Sequence, residues 1–202
     1  MPEGAAIGMR RICVFCGASK GDRIDYSRVA QSVAEALTDR GLDLVYGGGR
    51  IGLMGILADA VLERGGGVVG VIPHGLERRE MGHDGLTELI VVSGMHERKQ
   101  KMAELSDAFI SLPGGVGTFE ETLEILTWAQ LGIHRKPCGI LNIAGYYDGL
   151  IEFLGYAVRE GFMLQQTLDL LHIGHSPHEM LEEFLVYRPP DFEEWAEMEG
   201  GA

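Results

Sequence analysis

The segment Ala108-Phe109-Ile110-Ser111-Leu112 is apolar and strand-like. It runs into Pro113-Gly114-Gly115-Val116-Gly117, and a helical pattern follows from Thr118 to Leu131. A strand that turns on glycines into a helix leaves that helix's free N–H groups, at its positive dipole end, at the carboxyl edge of the strand. Such a corner binds anions, phosphate above all. Three glycines in four positions let the backbone approach a ligand with no Cβ in the way.

The same pattern recurs along the chain. Arg11 to Cys16 reads as a buried strand ending at Gly17, and a helical pattern follows from Tyr26 to Arg40. Leu42 to Tyr46 is a second strand, ending in Gly47-Gly48-Gly49, with a helix from Gly52 to Glu63. Val68 to Ile72, Glu88 to Val92, Ala108 to Leu112, Cys138 to Ile143 and Leu168 to Ile173 complete seven strands. Helices are expected over Met95 to Leu105, Tyr147 to Glu160 and Pro177 to Val186. This alternation predicts an α/β fold: a doubly wound, Rossmann-like parallel sheet with helices on both faces, in one domain. That domain is expected over 9–187, between a flexible leader at 1–8 and an acidic tail at 188–202. Ligands of such sheets lie at the carboxyl ends of the strands, where the turns at Gly17, Gly47 to Gly49 and Gly114 to Gly117 converge. His74 to Gly85 is a long polar segment inside a compact domain, which marks it as mobile or site-lining.

A formal net charge of −13 argues against general nucleic-acid binding and against an anionic membrane surface. The charge is uneven. From Ser176 to Ala202 eight acids face one base, while bases gather at Arg98, Lys99 and Lys101. A local basic pocket can therefore still draw in a small anion. No apolar run approaches the roughly 20 residues that span a bilayer, and no secretory signal is visible. Three cysteines do not make a disulfide framework, and a cytoplasmic protein is expected.

The motifs carry competing readings. Thr118 and Glu121 fit a T-x-x-E capping box. Helical phase nevertheless sets Glu121 near Ile125 and Trp128, apart from Glu120 and Glu124, at the edge of the buried face. A carboxylate there is costly unless partnered or used. Gly47-x-Gly49-x-x-Gly52 matches the dinucleotide fingerprint only literally, since it follows the second strand and no acid ends the next. It reads better as a second phosphate- or sugar-facing loop. Cys13 and Cys16 sit on one strand at positions that point to opposite faces, so they are not a redox pair. His172, His175 and His178 share no helix face, and no metal site is expected. The Met95-to-Lys101 run is either a solvated basic surface or an anion site, and bases at a helix N-terminus oppose its dipole.

Pro113 to Glu121 matches the PGGxGTxxE motif, and on it the chain resembles the Lonely Guy (LOG) family, cytokinin riboside 5′-monophosphate phosphoribohydrolases often mislabelled as lysine decarboxylase. The likeness runs from Arg11 to about Val186. It includes the turn at Cys13 to Ser19, the stretch Tyr46 to Gly55 and the Met95-to-Lys99 block. The resemblance implies cleavage of the N-glycosidic bond of an N6-modified (prenylated) adenosine 5′-monophosphate to free base and ribose 5-phosphate, without a cofactor. It implies a homodimer with the site near the interface. It assigns Arg98 and Glu121 as the catalytic pair. The substrate-contacting positions become Glu80, Lys99, Gly114, Gly115, Val116, Gly117, Thr118, Phe119, Glu120 and Thr127. A general adenosine monophosphate nucleosidase and a non-catalytic nucleotide or molybdenum-cofactor carrier are the alternative readings.

Overall fold

Parallel strands buried on both faces need near-continuous apolar sequence, and the central strands of this chain supply it. The computed structural model describes residues 8–76 and 82–190. In it β1 (Arg11–Phe15), β2 (Asp43–Tyr46), β3 (Val68–Pro73), β4 (Glu88–Val92), β5 (Ala108–Ser111), β6 (Cys138–Leu141) and β7 (Leu171–Gly174) form one sheet in the order β4-β3-β2-β1-β5-β6-β7. Every neighbouring pair is parallel. The inner strands are buried almost throughout, whereas the edge strands β4 and β7 alternate with exposed positions. The leader expected at 1–8 and the tail at 188–202 lie outside the described residues, apart from Gly8 and 188–190.

Two cores follow from the two-residue period of the strands. On one face Ile12, Val14, Leu44 and Ile110 pack with α1 (Ile24–Thr38), α2 (Gly52–Glu63) and α7 (Pro177–Leu185). On the other, Cys13, Phe15, Val45 and Phe109 pack with α3 (Met95–Leu105), α4 (Val116–Gln130) and α5 (Asp148–Arg159). Cys13 and Cys16 therefore belong to different cores, and both are buried free thiols. Burial raises the pKa of each, and the nearby Glu121 carboxylate adds to the effect.

Two expectations need correction. Leu168 to Ile173 is not one strand, because Gln165–Asp169 closes a short helix, α6, and extended backbone begins at Leu171, where pairing with Cys138 begins. The helix after the glycine turn starts at Val116 with Gly115 as its N-cap, and no side chain caps it. Thr118 is thus a buried residue of the first turn, and no capping box forms.

Candidate active site

The strand order runs outward from β1 through β2 to β4 and from β5 through β6 to β7, so the winding reverses between β1 and β5. At that switch point two turns meet. The Gly17 N–H donates to the Pro113 carbonyl at 3.1 Å, and the Leu53 N–H donates to the Gly17 carbonyl at 3.0 Å. A Cβ on Gly114 would stand 2.1 Å from the Thr118 hydroxyl and 2.9 Å from the Gly17 nitrogen. Gly114 is thus demanded by close packing. Gly115 and Gly117 differ: a Cβ on either meets nothing within 4 Å, so both face open space. With Gly115 as an uncapped N-cap, the first-turn N–H groups of α4 are directed toward that space.

The open space is a cleft of about 260 Å³. Its floor is Val14 to Ala18 from the end of β1. One wall is Gly115, Gly117, Thr118, Glu120 and Glu121 from α4, and the other is Met95, Arg98 and Met102 from α3, with Met54 and Gly47 beside them. A second hollow of about 400 Å³ adjoins it across Gly17, Ala18 and Gly115, lined further by Lys20, Tyr26, Pro113 and Tyr146.

Arg98 and Glu121 face each other across the first cleft. Both are buried, at 5% and 9% exposure, with Nη2 of Arg98 3.9 Å from Oε1 of Glu121. The guanidinium also donates from Nη2 to the Gly47 carbonyl at 3.4 Å. Its Nε is buried with no hydrogen-bond partner among the described residues. Burying a guanidinium and a carboxylate is costly in desolvation, which their mutual attraction only partly offsets. A pair held in that state at the switch point of an α/β sheet is what a chemical site requires.

Lys99, next to Arg98, is buried as well, and its ammonium donates to Glu120 at 2.5 Å and to Glu124 at 2.9 Å. Burial lowers its pKa, but the two carboxylates outweigh that, and the net direction is upward. The reading of the Met95-to-Lys101 run as a solvated surface therefore fails at both buried bases.

The structure brings Arg98, Gly115, Gly117, Thr118, Glu120 and Glu121 to one cleft. It does not bring every expected residue there. Lys99 is absent from the lining, and Val116 points outward at 81% exposure. Phe119 packs edge-on against Tyr147. Thr127 is exposed on the outer side of α4, its hydroxyl donating to the Leu123 carbonyl. Glu80 lies outside the described residues. Of the stretch Gly47 to Gly52, Gly47 lines the cleft, and both it and Gly52 have packing roles. Gly47 leaves room for Arg98, and Gly52, at φ +63°, lies against the Ala18 carbonyl. His172, His175 and His178 are not gathered: they turn to Glu183, the Asn142 carbonyl and Asp39 respectively. No group of His, Cys, Asp and Glu able to hold a metal occurs among the described residues.

Sequence reasoning missed the methionine wall and the tyrosines. Met95, Arg98 and Met102 lie at helical spacing on one face of α3, a stripe readable in the sequence. Tyr146 and Tyr147 follow the end of β6. The Tyr147 hydroxyl donates to the Leu112 carbonyl at 2.6 Å and that of Tyr146 to the Gly114 carbonyl, so both brace the glycine turn. Only their place after a strand end hinted at this.

The fold and cleft define a doubly wound α/β protein with an uncapped, glycine-rich helix start and a buried arginine–glutamate pair at its switch point. The family model described as "Possible lysine decarboxylase" matches residues 54–184. The cytokinin riboside 5′-monophosphate phosphoribohydrolase LOG of Oryza sativa subsp. japonica is 48% identical over 180 residues, 89% of this chain and 74% of its own. Arabidopsis thaliana LOG2, of the same activity, is 47% identical over 89% of this chain and 84% of its own. This chain belongs to the LOG family. Its backbone also resembles the molybdenum cofactor carrier protein of Chlamydomonas reinhardtii, with a TM-score of 0.67 at 19% identity over 89% of this chain and 99% of that one. The molybdenum cofactor binding protein of Rippkaea orientalis gives 0.65 at 19% identity, over 87% and 95%. These two likenesses show the fold alone.

Proposed function

We propose that this protein hydrolyses the N-glycosidic bond of N6-prenylated adenosine 5′-monophosphate, releasing the free cytokinin base and ribose 5-phosphate. The observation that carries this reading is the buried Arg98–Glu121 pair, 3.9 Å apart beside the uncapped start of α4. The 5′-phosphate sits on the N–H groups of the Gly115-to-Thr118 turn. As the C1′–N9 bond breaks, its electron pair leaves with the base and positive charge builds on the ribose, as in glycoside hydrolysis. The Glu121 carboxylate stabilises that charge and accepts a proton from the attacking water, whose oxygen bonds to C1′. Arg98 presents positive charge to the departing base, which takes up a proton from solvent while Glu121 returns its own to solvent, so that water is divided between the base and C1′.

The decarboxylase description fits the residues less well. A Schiff-base lysine must react as a neutral amine, and Lys99, the buried lysine beside the cleft, is held as an ammonium between two carboxylates.

The active form in this reading is a homodimer. Val116, Leu123 and Leu131 make an exposed apolar stripe along α4, and Phe153 and Tyr156 are exposed on α5. Thr127 shares the α4 stripe, so burying that face against a second copy puts it at the interface, near a site. The catalytic domain spans 9–187, with the leader at 1–8 and the tail at 188–202 outside it. Three unpaired buried cysteines suit a cytoplasmic location; no helix among the described residues is long and apolar enough to cross a membrane.

The test is incubation of the pure protein with isopentenyladenosine 5′-monophosphate and with adenosine 5′-monophosphate, following free base by chromatography. Release from the prenylated substrate in clear preference is expected. Equal release from both makes the protein a general nucleosidase, and binding without release from either removes the hydrolase reading.

A further inference from the structure

We infer that Tyr146 is a positioning residue: its hydroxyl turns the Gly114 carbonyl away from the cleft and so aims the Gly115 N–H at the substrate's 5′-phosphate. The inference rests on the proposed reading, in which that phosphate sits on the glycine turn. Three successive carbonyls at this strand–helix corner each accept a hydrogen bond. Leu112 accepts from the Tyr147 hydroxyl at 2.6 Å, Pro113 from the Gly17 N–H at 3.1 Å, and Gly114 from the Tyr146 hydroxyl. In a planar trans peptide the N–H points opposite to the carbonyl it follows. Gly115 borders both the cleft and the second hollow, whereas Tyr146 lines the second hollow and not the cleft. A Gly114 carbonyl drawn toward Tyr146 therefore leaves the Gly115 N–H turned toward the cleft.

The Gly114–Gly115 peptide needs such a hold. Glycine at both its ends removes the side chains that would resist its turning over. Turned over, it sets a carbonyl oxygen where an N–H should meet the phosphate. One hydrogen bond thus decides the sign of the charge presented at this point. The chain between β6 and α5 is built to deliver it. Among the described residues Ala144 is the one non-glycine with positive φ, at φ 54° and ψ 31°, a left-handed backbone that is uncommon outside glycine. Gly145 follows at φ 72°, where a Cβ would stand 2.6 Å from the Asp148 carboxylate. Buried Asn142 ties the turn together: its side-chain nitrogen donates to Asp148 at 2.7 Å, and its side-chain oxygen accepts from the Tyr147 N–H at 2.8 Å. The Tyr146 ring is held edge-on by Tyr26 and Tyr147, with centroids 5.6 and 5.1 Å away. A strained backbone, a buried amide and neighbouring rings together set one hydroxyl on one carbonyl, an expense that points to function.

The experiment is calorimetric titration of wild type and Tyr146→Phe with ribose 5-phosphate and with isopentenyladenine, beside steady-state kinetics on isopentenyladenosine 5′-monophosphate and a melting curve. Tyr146→Phe keeps the ring and removes the hydroxyl. The Kd for ribose 5-phosphate should rise about tenfold, the scale of one lost hydrogen bond to a charged group. The Kd for the free base should stay within about twofold, and KM should rise about tenfold with kcat within about threefold. Unchanged affinity for ribose 5-phosphate in the variant overturns the inference. So does equal weakening of both ligands, which makes Tyr146 a support of the whole site, and so does a fall in kcat at unchanged KM. Should Tyr146→Phe not fold, Tyr146→Leu, which also lacks the hydroxyl, decides by the same contrast. A wild-type protein that binds ribose 5-phosphate but releases no base removes the hydrolase reading and leaves this inference to the titrations. One that binds no ribose 5-phosphate removes the inference.

Discussion

Gly47 and Arg98 compete for one volume. A Cβ on Gly47 would stand 2.1 Å from Nη2 of Arg98, the same nitrogen that bonds the Gly47 carbonyl. The end of β2 thereby dictates where the guanidinium of α3 can lie. Gly47→Ala should displace Arg98 from Glu121 and cut turnover about a hundredfold. The overpacking should cost about 1–3 kcal/mol of stability. A melting curve beside a rate assay checks both, and near wild-type turnover would show that the guanidinium position does not matter.

Glu121→Gln keeps the shape of the side chain and removes its charge. Loss of a carboxylate that stabilises the transition state or moves a proton should lower kcat by about 10²–10⁴-fold, with substrate still bound. Arg98→Ala should lower activity as severely and also destabilise the fold by about 3–5 kcal/mol, the usual cost of removing one partner of a buried ion pair. Single-turnover base release and urea melts separate the two effects.

Glycines of the same site should respond in opposite ways. Gly117 lies in the first turn of α4 with nothing within 4 Å of an added Cβ, so Gly117→Ala should stabilise the helix by about 0.5–1 kcal/mol. The new methyl group nonetheless stands in the open space to which the proposed reading brings the phosphate, and KM should rise. Gly52 has φ +63° and would place a Cβ 2.2 Å from the Ala18 carbonyl carbon. Gly52→Ala should therefore destabilise the protein and weaken activity together. Melting temperature and KM, measured on both variants, test the contrast.

Cys138 carries a pH dependence of known sign. Burial pushes its thiol up from 9.0 to about 12. The unfolded chain releases that proton first, so the unfolded state binds fewer protons as pH rises. The stability contribution is complete below pH 9.0 and is lost as pH climbs toward about 12. Cys13 and Cys16 shift in the same direction. Urea midpoints should fall between pH 8 and pH 11, and less steeply in Cys138→Ala. A flat profile for the wild-type protein would contradict the burial argument.

The sheet was legible because most of its parallel strands are short apolar runs closed by a glycine or proline within two residues; β6 is the exception, ending at Leu141 before Asn142 and a 3-10 turn at Ile143–Gly145, short of the expected end at Ile143. The bounds of α2 and α3 follow directly from periodicity and flanking breakers. The short α6 was not, since five residues are too few to show a period. At the site, helical phase placed Glu121 at the buried edge of α4, where it lies. Residue chemistry alone marks Arg98 only as part of a basic run, and it is the family resemblance that singles it out as one of the catalytic pair. That it reaches beneath Gly47, 51 positions away in the chain, depends on how α3 lies against β2. The second carboxylate on Lys99, Glu124, was likewise hidden, because nothing local distinguishes it from an exposed helix acid. Thr118 misled, because its hydroxyl packs under Gly114 rather than capping a helix.

The pairing of β1 with β5 joins Ile12 to Ala108 and Phe15 to Ser111, across about half the chain. The crevice between these strands comes into being only when that pairing closes. Contacts of such sequence separation form late and slowly, because loop closure must precede the reward. During synthesis the residues through α3 can emerge and collapse while the anion corner is still missing its glycine turn. Binding of a ligand in the crevice therefore reports that this long-range pairing has closed. A substrate that binds only the closed crevice also holds it shut, so the ligand acts as a fold-specific stabiliser whose effect grows with its concentration.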